Sequence, residues 1–482
     1  MRRSWFPAFA GLAVLGGVAL VRNTPDLAPG AFNWAEPGNV AAALVEGRGF
    51  SDPFGGGTGA TAWVPPLPVW IESAVFLAAG VKTVAAARIL LVLAVLGLAG
   101  AHALLYSAAR PFGAWMAGGV SAAFLAFVAL LPGGPLEIMS EAWIDVLLSA
   151  ALLWAALEAD LRPGRRAVAS LSSVAALAPL ADAGLALGTG LVVMALAWRA
   201  RGNRGRLAAP IAAAIAAALA VGLWTGRNAL ALHRLIPLKT NLWFEVYLAN
   251  VASTDGLVRA ETALRLLPFF SVSEFDRYSR LGETRYVDSF RRPSIDALAA
   301  APIHLAANIA RRLENALIFC HRDDGSEPTR MHFDPGDLRR LEAAGELIPL
   351  GGTDTACWTR IDAPPRTERA VLDRLGLAHE SVAWRDWAEK RVAYDEKYAG
   401  PAALAEGFLV AGIPTLALAG AALLLRGRLP DPAGWAVLIG ASALLPFILV
   451  NHGYRHQWPL VGMQAVAVGA FVHACAHRRR SR

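Results

Sequence analysis

The chain has 482 residues, 55% of them hydrophobic and 17% charged, with a formal net charge of +7. A soluble globular chain carries roughly 25% charged residues, so depletion over this length excludes a string of soluble domains and points to a polytopic membrane protein. The positive balance is not a nucleic-acid footprint: the arginines cluster between apolar runs, as the positive-inside rule expects.

Residues 1–21 combine a charged start with an apolar centre. No Ala-x-Ala-like site follows, so the segment reads as an uncleaved first span rather than a signal peptide. An apolar run of about 20 residues crosses a hydrocarbon core. The candidates are 4–21, 84–107, 113–131, 142–159, 167–181, 183–198, 207–224, 402–425, 432–450 and 458–475. The pair 167–181 and 183–198 is short and is compatible with a re-entrant hairpin.

Arg2 and Arg3 precede the first span, and Arg110 separates the second from the third. Arg162, Arg165 and Arg166 follow the fourth, Arg199 to Arg206 the sixth, and Arg426 and Arg428 the eighth. Arg478 to Arg482 end the chain. With ten spans all of these share one face, which predicts cytoplasmic termini and an extracytoplasmic active face. The expected organisation is a membrane module 1–224 with a first outer loop 22–83, an outer region 225–401, and terminal spans within 402–482. Within the outer region, 257–281, 294–319 and 366–392 read as helices, some amphipathic. Cys320 and Cys357 fall in this region, where a disulfide between them is an open expectation.

The first outer loop is the most informative stretch. It holds a lone acid, Glu36, an amphipathic run, a Gly-x-Gly-Phe turn at Gly47 to Phe50, a glycine-rich loop, and Trp63-Val64-Pro65-Pro66. An acid before a proline also suits an ordinary helix start. Glu46 and Asp52 read as solvated neighbours. Glu141 and Asp145 stand about one turn apart at the outer end of the fourth span; Asp182 is a weaker case of the same kind. After the seventh span come Trp224-Thr225-Gly226-Arg227-Asn228, then Lys239, Asn241, Trp243, Glu245 and Asn250. Arg227 and Lys239 would stand at the level of lipid phosphates, where snorkelling onto bulk lipid is the plainer reading. The last outer loop places His452, Tyr454, Arg455 and His456 together, and its basic residue runs against the positive-inside trend.

These pieces, in this order, resemble the GT-C superfamily of membrane glycosyltransferases, specifically bacterial relatives of protein O-mannosyltransferases and of the lipid A aminoarabinose transferase. The likeness is carried by Glu36, Gly47 to Phe50 and Trp63 to Pro68. Ser140 to Trp143, Trp224 to Asn228, Glu245 to Asn250, Gly282 to Tyr286 and Tyr454 to Pro459 extend it. It covers roughly 1–319 and 402–475. Three departures stand out: Glu-Pro replaces the paired acids of other members, Ala178-Pro179-Leu180 replaces an Arg-Pro, and residues 320–400 match nothing in the pattern.

The resemblance implies an all-α GT-C-like fold of about ten spans in a bacterial inner membrane, with juxtamembrane helices and a small periplasmic insertion. It implies a polyprenyl-phosphate-linked sugar as donor, an inverting displacement, and a glycan, lipid or protein acceptor. Glu36 would be the general base, with Glu141 as a second catalytic acid. Arg227, Lys239, Tyr454, Arg455, His456, Trp63, Asn241 and Glu245 would line the substrate and lipid-phosphate site. No cofactor is expected, although Glu36 and Glu141 could share one divalent ion. The competing readings are a lipid or solute transporter and a catalytically inactive scaffold of the same fold. Transporters usually show inverted repeats, and no repeat is visible here.

Overall fold

The computed structural model describes residues 6–23, 36–130, 142–253, 256, 257, 262, 266–268, 271–318, 347–349, 358–360, 431–450 and 458–480. The described architecture is helical, apart from a small antiparallel pair, β1 (Leu347–Pro349) and β2 (Trp358–Arg360). Nine of the ten expected spans coincide with helices. They are α1 (Phe6–Asn23), α4 (Val84–Ala109), α5 (Ala114–Leu130), α6 (Ala142–Leu161), α7 (Arg165–Ala181), α8 (Ala183–Arg199), α9 (Arg204–Leu232), α14 (Asp431–Leu449) and α15 (Trp458–Arg480). The tenth, 402–425, lies outside the described residues. Among the described residues, three helices are long and apolar enough to cross a membrane: Val84–Phe112, Ala142–Leu161 and Arg204–Leu232. The protein is a polytopic, helical membrane protein.

Local chemistry sets the helix ends. The Thr83 hydroxyl accepts from Ala86 N and caps α4, and Asn203 caps α9 by accepting from Gly205 N and Arg206 N. Asp182 caps α8 with bonds of 2.7 Å from Gly184 N and 3.3 Å from Leu185 N. That assigns Asp182 a structural task, and it marks the turn between α7 and α8. α7 packs along α9, and α8 along α14.

Small residues let the helices approach closely. A Cβ on Gly97 would strike the Trp143 ring, and one on Gly469 would come within 2.7 Å of the Met116 carbonyl. At one end of the bundle, Asp160 of α6 gathers later helices. Arg199 of α8 reaches it at 2.9 Å, Arg206 of α9 at 3.9 Å, and Trp435 Nε1 of α14 donates to it at 3.3 Å. Arg199 and Arg206, which flank the loop between α8 and α9, therefore meet the end of α6.

The opposite end carries α2 (Glu36–Val45), α3 (Pro66–Ala79), α10 (Leu242–Tyr247), α11 (Val272–Leu281), α12 (Glu283–Ala300) and α13 (Pro302–Ile318). The helix α3 is an addition to the sequence reading, in which its prolines marked only a stiff re-entry. It has 14 residues, too few to span, and its prolines occupy the first turn, where no donor is lost. Helix α9 runs eight residues past the expected boundary at 224, so Arg227 and Asn228 are helical. It stops at His233, whose φ of 53° is left-handed. Of the helix expected over 257–281, α11 begins after its cap Ser271 and ends at Gly282 (φ +71°), and the helix expected over 294–319 is broken at Ala301; 366–392 lies outside the described residues.

A π-helical turn, Leu248–Ala252, follows α10. Arg312 of α13 is fully buried against it. Its Nε donates to Gly256 O at 2.7 Å, and Nη2 donates to Ala249 O at 2.9 Å and Asn250 Oδ1 at 2.6 Å. Nη1 donates to Leu449 O at 3.3 Å, which fastens the end of α14. Burial among carbonyls pulls this guanidinium down to about 10.

Candidate functional site

The site is built on the first outer loop. After α2, Gly47 and Gly49 take φ of +79° and +77°, which a side chain would resist. They turn the chain into a bridge between Ser51 and Ala60. Asp52 closes this loop: its N–H donates to Gly59 O at 2.9 Å, and its Oδ1 accepts from Gly59 N at 2.8 Å. Asp52 is buried and paired with Arg48, which also pairs with exposed Glu46. The expectation of a solvated Asp52 is therefore corrected; the loop consumes its lone pairs.

The end of α9 explains Trp224, Arg227 and Asn228 of the 224–228 motif, and the Thr225 hydroxyl donates back to Val221 O at 2.7 Å. Trp224 Nε1 donates to Leu238 O and Asn228 Nδ2 to Ile236 O, both at 2.9 Å, and fold the chain back along the helix. Arg227 instead faces the first outer loop. Its Nη2 donates to Phe50 O at 2.6 Å and its Nη1 to Thr61 O at 2.5 Å. Its guanidinium also covers the Phe50 and Trp224 rings. Arg227 has no carboxylate within ion-pair distance among the described residues.

Between Arg227 and the loop lies a cleft of about 490 Å³, walled by Arg48, Phe50, Asp52, Gly57, Gly59 and Ala231 among others. Below it is an aromatic core. Trp63 is 3% exposed and packs against Phe54 at 5.0 Å and Phe244 at 5.1 Å, so its ring lies in the core and not on the cleft wall. Asn241 and Glu245 bond each other, Nδ2 to Oε1 at 2.9 Å. Lys239 is half-buried in the returning chain.

Glu36 opens α2 and is half-buried. Asn39 Nδ2, three residues on, donates to Pro53 O at 3.0 Å, so the glycine-rich loop folds back along the start of α2. A cation also reaches this end of the helix. Asn39, one turn along α2 from Glu36, accepts a 2.6 Å bond from Lys82 Nζ. Lys82 holds a left-handed φ of 55° in the turn after α3. Sequence reasoning missed it, because one lysine in a Gly-Val-Lys-Thr turn carries no signal of its own. Glu141, Tyr454, Arg455 and His456 lie outside the described residues, as do Cys320 and Cys357. Among the described residues no three His, Cys, Asp or Glu side chains gather as a metal site would need.

The second unforeseen residue is Glu283, at the start of α12. It is 3% exposed and accepts four hydrogen bonds. Ala62 N donates to Oε1 at 2.7 Å, Thr240 Oγ1 to Oε1 at 2.7 Å, Tyr278 OH to Oε2 at 2.7 Å, and Thr61 Oγ1 also to Oε2. Burial pushes its carboxyl above the usual range, although the four donors pull the other way. The Gly282 to Tyr286 motif contained this residue, but only the fold shows what it holds.

No family model and no curated protein matches the chain. Among solved structures it is similar to ArnT from Cupriavidus metallidurans bound to undecaprenyl phosphate. The two are 14% identical, with a TM-score of 0.36, covering 97% of this chain and 78% of that one. A likeness at that score is too distant to transfer residue roles.

Proposed function

We propose that the protein is an integral membrane glycosyltransferase. It moves a sugar from a polyprenyl-phosphate donor to an extracytoplasmic acceptor hydroxyl with inversion, and Glu36 is the general base. The observation that carries this reading is the Lys82–Asn39 bond, which brings a cation to α2 three residues from Glu36. An acid and a cation within about one helical turn can serve the two sides of one displacement.

The Glu36 carboxylate takes the proton of the acceptor hydroxyl as its oxygen attacks the anomeric carbon. The bond from that carbon to the phosphate oxygen breaks, and the electron pair leaves with the polyprenyl phosphate. The Lys82 ammonium lies on the side of α2 where it can stabilise that charge. Lys82 is assigned this task because its ammonium bonds Asn39, three residues from Glu36 on α2. Arg227, bonded to two loop carbonyls, shapes the neighbouring cleft. The test is transfer from a polyprenyl-phosphate-linked sugar by the purified chain in lipid. Full transfer by Glu36→Gln would remove the base assignment.

A further inference from the structure

We propose that Glu283 is the positioning residue of the cleft between the glycine-rich loop and α9, acting through Thr61 and Ala62. This goes beyond the assignment of Glu36 and Lys82 and does not depend on it.

Two residues, Thr61 and Ala62, are gripped at every polar group they have. The Thr61 N–H donates to Phe50 O at 3.2 Å, and the Thr61 carbonyl accepts from Arg227. The Thr61 hydroxyl donates to Glu283 and accepts from Trp63 N at 2.9 Å. The Ala62 N–H donates to Glu283, and the Ala62 carbonyl accepts from Thr240 N at 3.0 Å. Glu283 comes from 221 residues later in the chain. It fixes this dipeptide on one side while Arg227 takes it from the other.

The consequence falls on the cleft. Arg227 reaches Phe50 O and Thr61 O together, and these two carbonyls are set side by side by the Thr61–Phe50 bond. Were the dipeptide free to shift, one guanidinium could not serve both. The Nε–H and the second Nη2–H of Arg227 have no acceptor among the described residues, and Arg227 lines the cleft. A donor set of this kind suits a ligand group rich in hydrogen-bond acceptors. Its aim depends on Glu283, whose four hydrogen bonds go to Thr61, Ala62, Thr240 and Tyr278 and not to the residues lining the cleft.

Thr61 and Thr240 provide a matched comparison, since each hydroxyl donates to Glu283 but only Thr61 is bonded to Arg227. The experiment measures amide hydrogen exchange over residues 49–60, together with thermal unfolding, for the full chain in lipid nanodiscs. Thr61→Val is expected to speed exchange there at least tenfold, and Thr61→Ser to restore it. Thr240→Val is expected to lower the unfolding temperature while leaving those amides within about twofold of the parent. If Thr61→Val does not reach the membrane, Thr61→Ala serves the same comparison. Equal acceleration by Thr240→Val, or none by either Thr61 variant, would overturn the proposal. No transfer activity is needed for this readout, so a negative result with Glu36→Gln and a negative result here are separate outcomes.

Discussion

Lys82 Nζ meets Asn39 Oδ1 at 2.6 Å and so ties the turn after α3 to the first turn of α2. The pair puts a cation on the Glu36 side of that helix, where none was foreseen. It also fixes the order of effects expected from substitution.

Glu36→Gln keeps shape and loses the proton acceptor. Transfer should fall by about 10²- to 10⁴-fold, the usual size of a general-base contribution, with expression unchanged. Lys82→Met should lower transfer less than Glu36→Gln. Both are read by radiolabelled sugar transfer from the polyprenyl-phosphate donor.

Glu283 should make stability depend on pH. Its folded pKa lies above the unfolded value of 4.5, because burial disfavours the charged form. Its contribution is therefore complete below the unfolded value and is lost as pH rises through the folded one. Thermal unfolding in detergent should show the parent losing stability over that window, and Glu283→Gln should flatten this part of the profile. Glu283→Ala leaves Ala62 N without its acceptor, a loss of about 1–3 kcal/mol for that group alone. It should lower the unfolding temperature at every pH.

Helix contacts supply a test of packing. An added methyl at Gly469 would press on Val120 and on the Met116 carbonyl, whereas one at Gly118 meets nothing within 4 Å. Gly469→Ala should cost about 1–3 kcal/mol through overpacking of α5 against α15. Gly118→Ala, on the same α5, should be neutral or slightly stabilising. Unfolding temperatures of the two variants decide this.

Arg312→Lys should not replace the parent residue. A single ammonium cannot serve Gly256, Ala249, Asn250 and Leu449, which the planar guanidinium reaches from three nitrogens. The variant should unfold at a lower temperature than the parent, by an amount reflecting about 1 kcal/mol for each lost bond.

The spans were legible because apolar runs of crossing length have few other uses. Asp182 read as a weak candidate site, and only its bonds from Gly184 and Leu185 show it to be a cap. The extension of α9 was not legible. Arg227 and Asn228 interrupt its apolar run; Arg227 is satisfied by carbonyls of the first outer loop, far away in sequence, and Asn228 by the chain that folds back at Ile236. Helix α3 was hidden by Pro65, Pro66 and Pro68, which read as extended chain until the first-turn placement is seen. Trp63 illustrates a further gap. A tryptophan near a membrane boundary has the same local signature in an interfacial girdle, a ligand wall or a core. Only its neighbours Phe54 and Phe244 decide among them. Glu283 was quoted in a motif without a task, since its partners Thr61 and Ala62 lie more than 200 residues upstream.

The meeting of Asp160 and Trp435 spans 275 positions in the chain. During synthesis, the helices around Asp160 can satisfy it with Arg199 and Arg206 long before residue 435 leaves the ribosome. The indole that completes the set arrives only with α14. Assembly of this corner is thus a late event in biogenesis, and nascent chains halted before that helix should expose Asp160 to carboxyl-directed reagents that the finished protein resists.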